Sequence, residues 1–146
     1  MVNLPDNRNP PTLNVSANPE DGRNPIPVVL IVDDNEDCRL MLRFLLETWK
    51  YKVIEAADGI EAISVAERMR PNLILMDVRL PYLDGFGAVR QIRRSVNTGG
   101  VPIIFLSACV EMVYKQQAFA VGGNEYLTKP LDFDELENTL GRYIQH

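Results

Sequence analysis

The stretch Val28-Val-Leu-Ile-Val-Asp-Asp34 puts five apolar residues in a row and stops at two adjacent acids. A strand with one wet face alternates apolar and polar residues; an unbroken apolar run suits a strand covered on both faces, as in a parallel sheet. Outward from it the pattern changes period. Leu42, Leu45, Leu46 and Trp49 recur at the spacing of one helical stripe, which predicts a first helix. Lys52–Ala56 predicts a second strand. Asp58-Gly-Ile-Glu61 has the form of a capping box opening a helix that Pro71 terminates. Leu73–Met76 predicts a third strand, ending at Asp77, and Asp84 is placed to cap a helix carrying Phe86, Val89 and Ile92.

The alternation continues to the end. Gly99-Gly100 marks a loop before the strand Ile103–Leu106, which stops at Ser107. A helix from about Glu111 is expected to run to a left-handed stop at Gly122-Gly123. The short strand Glu125–Thr128 then leads into Lys129-Pro130. Asp132-Phe-Asp-Glu135 makes a second capping box, and Phe133, Leu136, Leu140 and Tyr143 are expected on the apolar face of the last helix. Five strands alternating with five helices predict an α/β fold with a parallel sheet wrapped on both faces, since each parallel connection needs a crossover.

Residues 27–146 form this single domain. The segment 1–26 is Pro- and Asn-rich without apolar periodicity, and predicts a flexible arm. At 146 residues, with 46% hydrophobic and 24% charged side chains, the chain has the composition of a soluble domain. No apolar run approaches the roughly 20 residues of a membrane helix. The net charge of -5 and the lack of a Lys/Arg-rich stretch argue against direct DNA binding. Two cysteines, Cys38 and Cys109, without a secretory leader favour a reducing cytoplasm.

Parallel α/β sheets bind ligands at the carboxyl ends of their strands. Asp33 and Asp34, Asp77, Ser107 and Lys129 all stand where an apolar run stops, so four strands aim polar groups at one edge. Three carboxylates in one crevice repel one another unless a cation joins them. The candidate ligands are all oxygens, which suits Mg²⁺, and the single histidine, His146, leaves little for zinc. A carboxylate beside such an ion can attack a phosphoryl group and form an acyl phosphate. Asp77 is the suggested nucleophile, Lys129 the counter-ion, and Ser107 a hydroxyl donor to a phosphoryl oxygen.

Val32-Asp33-Asp34, Met76-Asp77 with Pro81 and Asp84-Gly85, Ser107-Ala108, and Tyr126-Leu-Thr-Lys129-Pro130 together resemble response-regulator receiver domains. The resemblance spans about residues 27–146 and rests on five motifs in order. It implies a flavodoxin-like, doubly wound five-stranded parallel sheet of order 2-1-3-4-5 with five helices. It further implies a phosphorylation-dependent switch in a two-component phosphorelay, fed by a histidine kinase or histidine phosphotransfer protein and read by a downstream protein target. By position, Asp33 and Asp34 resemble the acidic pair holding Mg²⁺, Asp77 the phospho-acceptor, and the backbone carbonyl of Arg79 a further metal ligand. Ser107 and Tyr126 resemble the coupled switch pair, and Lys129-Pro130 the lysine followed by a cis peptide bond.

In that family, the positions of Arg79 and Cys109 flank the path of hydrolytic water, so a bulky cation at 79 implies a long-lived phosphorylated state. The surface made by the helix near Met112–Val121, the strand at Tyr126 and the last helix is the implied partner contact, and a phosphorylation-dependent homodimer is a possible use of it. The chain is expected to act as a stand-alone receiver, a switch and not an enzyme. A phosphatase resembling the haloacid dehalogenase group would carry a second acid two residues beyond the nucleophile, where this chain has Arg79. A degenerate receiver that only binds a partner would not need the full set of acids, hydroxyl and lysine.

Overall fold

The computed structural model describes residues 25–145. The expected arm lies outside the described residues apart from Pro25 and Ile26. The elements are β1 (Val28–Val32), α1 (Glu36–Thr48), β2 (Lys52–Ala56), α2 (Gly59–Met69), β3 (Leu73–Asp77), α3 (Gly85–Arg94), β4 (Ile103–Ser107), α4 (Met112–Ala120), β5 (Glu125–Thr128) and α5 (Phe133–Tyr143). All four strand pairings are parallel, in the order β2-β1-β3-β4-β5. This is the flavodoxin-like order that the family resemblance implies.

Side chains alternate across each strand, so each apolar run feeds two cores. Leu30, Val32, Ile74, Met76, Ile103 and Phe105 face α2, α3 and α4, meeting Ala62, Ala66, Phe86, Val89, Ile92 and Ala118. Val29, Ile31, Leu73, Leu75, Ile104 and Leu106 face α1 and α5, meeting Leu42, Leu46, Leu136 and Leu140. Each such aliphatic side chain withdrawn from water contributes about 1.5–3 kcal/mol. The unbroken apolar runs are thus the signature of a sheet that keeps no wet face. Trp49 packs at the rim of the second core.

Helix starts follow their caps. The carboxylate or amide of Asn35, Asp58, Asp84 and Asp132 accepts from the backbone N–H three residues on, at Cys38, Glu61, Gly87 and Glu135. Each cap is worth about 1 kcal/mol. The box at Asp58 closes differently from the expected form: Glu61 Oε1 accepts from the amide of Ala57, one residue before the cap, at 2.8 Å. Arg70 takes a left-handed conformation to end α2 before Pro71. Helix α4 ends at Ala120, capped by Val121, and Gly122 follows with a φ of 114°.

The placement of Phe133 on the core face is corrected by the structure, where it is 44% exposed. Helix α5 begins at the carboxyl edge of the sheet, and its burial starts one turn later with Leu136. Phe133 instead lines a small cleft with Cys38 and Met41.

One charged side chain ties together the opposite end of the sheet. Arg93, near the end of α3, donates from Nε and Nη2 to the carbonyl of Gly122 at 3.0 and 2.7 Å. Its Nη1 donates to the carbonyls of Gly99 and Val101, and its Nη2 also donates to Asn124 Oδ1. The α3–β4 and α4–β5 loops thereby share a single clamp.

Candidate functional site

Each polar residue named from the sequence stands at a strand end because the strand's apolar run holds it there. Asp33 follows β1, and its amide donates to the carbonyl of Ala56 at the end of β2. Asp77 closes β3, paired in register with Leu106 of β4. Ser107 closes β4 opposite Thr128 of β5, and the amide of Lys129 donates to the carbonyl of Ser107 at 2.8 Å. One carboxylate oxygen each from Asp33, Asp34 and Asp77 lies within 4.8 Å of the others. Asp33 is buried, Asp77 half-buried and Asp34 exposed. The three acids are gathered on adjacent strands with one of them open to solvent.

Lys129 answers two of these acids at once. Its Nζ donates to Asp33 Oδ2 at 3.0 Å and to Asp77 Oδ2 at 3.3 Å. One cation shared between two carboxylates leaves a surplus of negative charge. Burial, and then the charge of Asp33, raise the Asp77 pKa above its ordinary value despite Lys129 and the amide of Arg79. Burial works against the Lys129 ammonium, but Asp77 and Asp33 together more than offset it and hold its pKa up. Oxygen donors from two adjacent strands, with excess negative charge and an open side, fit a hard divalent cation that keeps part of its water.

The loop after β3 is folded tightly under the site. The amide of Arg79 donates to Asp77 Oδ1 at 3.3 Å, and the amide of Gly85 donates to the carbonyl of Val78 at 2.8 Å. A Cβ at Gly85 would stand 2.1 Å from the carbonyl oxygen of Asp77, so only glycine lets α3 start this close to the end of β3. Arg79 touches Asp77 through its amide. Its guanidinium Nε reaches Cys109 Sγ at 3.3 Å.

The hydroxyl of Ser107 accepts from the amide of Cys109 at 3.0 Å, and no hydrogen bond joins it to Asp77 among the described residues. Tyr126 is buried, with its hydroxyl donating to the carbonyl of Cys109 at 2.6 Å. Ser107 and Tyr126 therefore converge on one residue of the β4–α4 loop. The Lys129-Pro130 peptide is cis. Nothing in the sequence singled out Arg39, whose guanidinium Nη1 donates to the carbonyl of Asp33 at 2.8 Å. A charged residue on a helix reads as solvated, and only its distance from the acidic pair, five positions after Asp34, hinted otherwise.

Residues 29–141 match the family model of the response regulator receiver domain. The chain belongs to this family. Its members are phosphorylation-dependent switches of two-component signalling. Among curated proteins, it is 36% identical over 111 residues to the DNA-binding dual master transcriptional regulator RpaA of a Synechocystis strain, covering 76% of this chain and 46% of that protein. It is 32% identical to protein PilH of Pseudomonas aeruginosa, over 80% of this chain and 96% of PilH. The receiver spans less than half the length of several of the curated relatives it matches.

Solved structures agree. The chemotaxis protein CheY4 of Vibrio cholerae superimposes with a TM-score of 0.77 at 34% identity, covering 82% of this chain and 99% of that one. The receiver domain of the sensor histidine kinase PA1611 of Pseudomonas aeruginosa gives 0.77 at 40% identity, covering 83% and 99%, and holds a magnesium ion in its active-site cleft. Among the described residues of this receiver, no helix is long and apolar enough to cross a membrane.

Proposed function

We propose that Asp77 is the phospho-acceptor of this receiver and that the site works with Mg²⁺. What supports this is the convergence of Asp33, Asp34 and Asp77 within 4.8 Å at the strand ends, with Lys129 bonded to two of them. A carboxylate oxygen of Asp77 attacks phosphorus in line; the new O–P bond forms as the bond to the donor's leaving group breaks. When bound, the ion supplies charge stabilisation for the transferring phosphoryl oxygens. Asp33, Asp34 and Asp77 would hold it, with the backbone carbonyl of Arg79 as a further ligand. Lys129 neutralises phosphoryl oxygens once Asp77 is esterified. The Ser107 hydroxyl turns from the Cys109 amide toward the phosphoryl group, and Tyr126, bonded to the same residue, follows the loop.

The donor in this proposal is a histidine kinase or histidine phosphotransfer protein, and output passes through a downstream protein target. Two exposed apolar regions suit such contacts. Met41 of α1 and Phe133 line a cleft with Asp33 and Lys129, with Leu40 and Phe44 also exposed on α1; Val110, Met112 and Val113 are exposed at the start of α4. The second, with β5 and α5, is the surface proposed for the target or for a phosphorylation-dependent homodimer. The protein acts as a switch and carries out no turnover of its own.

Intact-protein mass after incubation with a small acyl phosphate, with and without Mg²⁺, tests this. The expected result is a Mg²⁺-dependent gain of one phosphoryl group that Asp77→Asn loses. No gain in folded wild type, or undiminished gain in Asp77→Asn, would overturn the assignment.

A further inference from the structure

Arg39 stands on the first turns of α1 and reaches back under the acidic pair. Its Nη1 donates to the backbone carbonyl of Asp33 at 2.8 Å, and its Nε donates to Glu55 Oε1 of β2 at 2.9 Å. Only 17% of the Arg39 side chain is exposed. Glu55 is gripped from its other oxygen by Arg43, whose Nε donates to Oε2 at 2.7 Å and whose Nη2 also bonds there. A planar fork with two fixed acceptors holds position far better than a single flexible ammonium. The carbonyl it holds belongs to the peptide that joins Asp33 to Asp34.

The two acids differ in what else restrains them. The Asp33 carboxylate accepts from the amide of Asn35 at 2.9 Å and from Lys129 at 3.0 Å. The Asp34 carboxylate has no hydrogen bond or ion pair among the described residues, so its place is set by its own backbone. That backbone is fixed on one side by the bond from the Asp33 amide to the carbonyl of Ala56, at 3.2 Å, and on the other by Arg39.

We propose that Arg39 is a positioning residue for the acidic pair: by gripping the Asp33–Asp34 peptide, it keeps the Asp34 carboxylate in place with those of Asp33 and Asp77. The inference rests on these three acids being the Mg²⁺ site described above. It carries a sign that charge alone would reverse. Arg39 is a cation near a cation site, so deleting its charge by electrostatics alone tightens Mg²⁺; losing its grip on the peptide weakens it.

The test is a Mg²⁺ titration of the full chain, followed by backbone amide chemical shifts around Asp34, Asn35 and Ala56. Outer contacts of metal ligands are typically worth 10–100-fold in affinity, and the expected loss in Arg39→Met is about tenfold, at the lower end because the hold is on backbone. Arg39→Lys keeps one donor for the Asp33 carbonyl without the fork that fixes it, and is expected to fall between Arg39→Met and wild type; it carries the test if Arg39→Met does not fold. Arg43→Met breaks the Glu55 pairing without touching Asp33, and is expected to lose thermal stability while keeping wild-type affinity. Equal or tighter binding in Arg39→Met, or equal weakening in Arg43→Met, would overturn the inference. Wild type that binds no Mg²⁺ would overturn the metal-site proposal and this inference with it. Binding by wild type that is lost in Asp34→Asn but unchanged in Arg39→Met would overturn the inference alone.

Discussion

The Nε of Arg79 lies 3.3 Å from the sulfur of Cys109, joining the loop after β3 to the loop after β4. Arg79 follows Asp77 by two residues, and Cys109 follows Ser107 by two. With Asp77 as the proposed acceptor, this is the geometry of a guanidinium that shields the acyl phosphate from water. Arg79→Ala is expected to shorten the lifetime of the acyl phosphate several-fold. Cys109→Ala, which removes only the partner of the guanidinium, is expected to shorten it less. Loss of phosphoryl mass with time after donor removal measures both; a lifetime unchanged in Arg79→Ala would exclude the shielding role.

The raised pKa of Asp77 makes stability depend on pH. In the folded protein this acid keeps its proton to higher pH than in the unfolded chain, where aspartate titrates near 3.9. Its contribution is therefore most favourable at low pH and is lost as pH rises through the native value. Without Mg²⁺, Asp77→Asn is expected to be more stable than wild type at neutral pH, since it removes the carboxylate that burial disfavours. Urea denaturation across pH should show that gap narrowing as pH falls toward the ordinary aspartate range. A gap that widens on acidification would mean that Lys129 outweighs burial at this carboxylate.

Gly85→Ala forces a Cβ against the carbonyl of Asp77, and nothing flexible is there to yield. Overpacking of this kind costs about 1–3 kcal/mol, and the displaced Asp77 should also be phosphorylated more slowly. Gly141, in α5, has no atom within 4 Å of an added Cβ. Gly141→Ala is expected to stabilise by about 0.5–1 kcal/mol. Urea midpoints of the two variants moving in the same direction would contradict the packing described for Gly85.

Much of the site was legible because its residues end apolar runs. The runs at Val28–Val32, Leu73–Met76 and Ile103–Leu106 appear as strands, and the residues that break them, Asp33, Asp77 and Ser107, meet at one edge. Caps at Asp58, Asp84 and Asp132 were readable for the same local reason. Phe133 was misplaced because helical periodicity says which face a residue shares, not how far the helix overhangs the sheet. Arg93 was missed because it bonds to loop carbonyls as far along the chain as Gly122, and Arg39 because its partners are the carbonyl of Asp33, outside its own helix, and a carboxylate on β2. Spacing in the sequence carries no trace of which carbonyls a fold will bring near. The left-handed Tyr82, almost fully exposed at φ 69°, also had no local signal.

The clamp of Arg93 on Gly122 gives α4 two unequal ends. At its carboxyl end, Gly122 is pinned by two bonds from one guanidinium, and Ala118 is the buried residue of the helix. At its amino end, Glu111 makes no side-chain cap, and Met112 and Val113 lie exposed. A rod fastened at one end swings more cheaply than it slides. The loop shared by Ser107, Cys109 and Tyr126 adjoins the loose end, so a small pull there becomes a change of angle about a fixed fulcrum, and the sheet beneath need not deform.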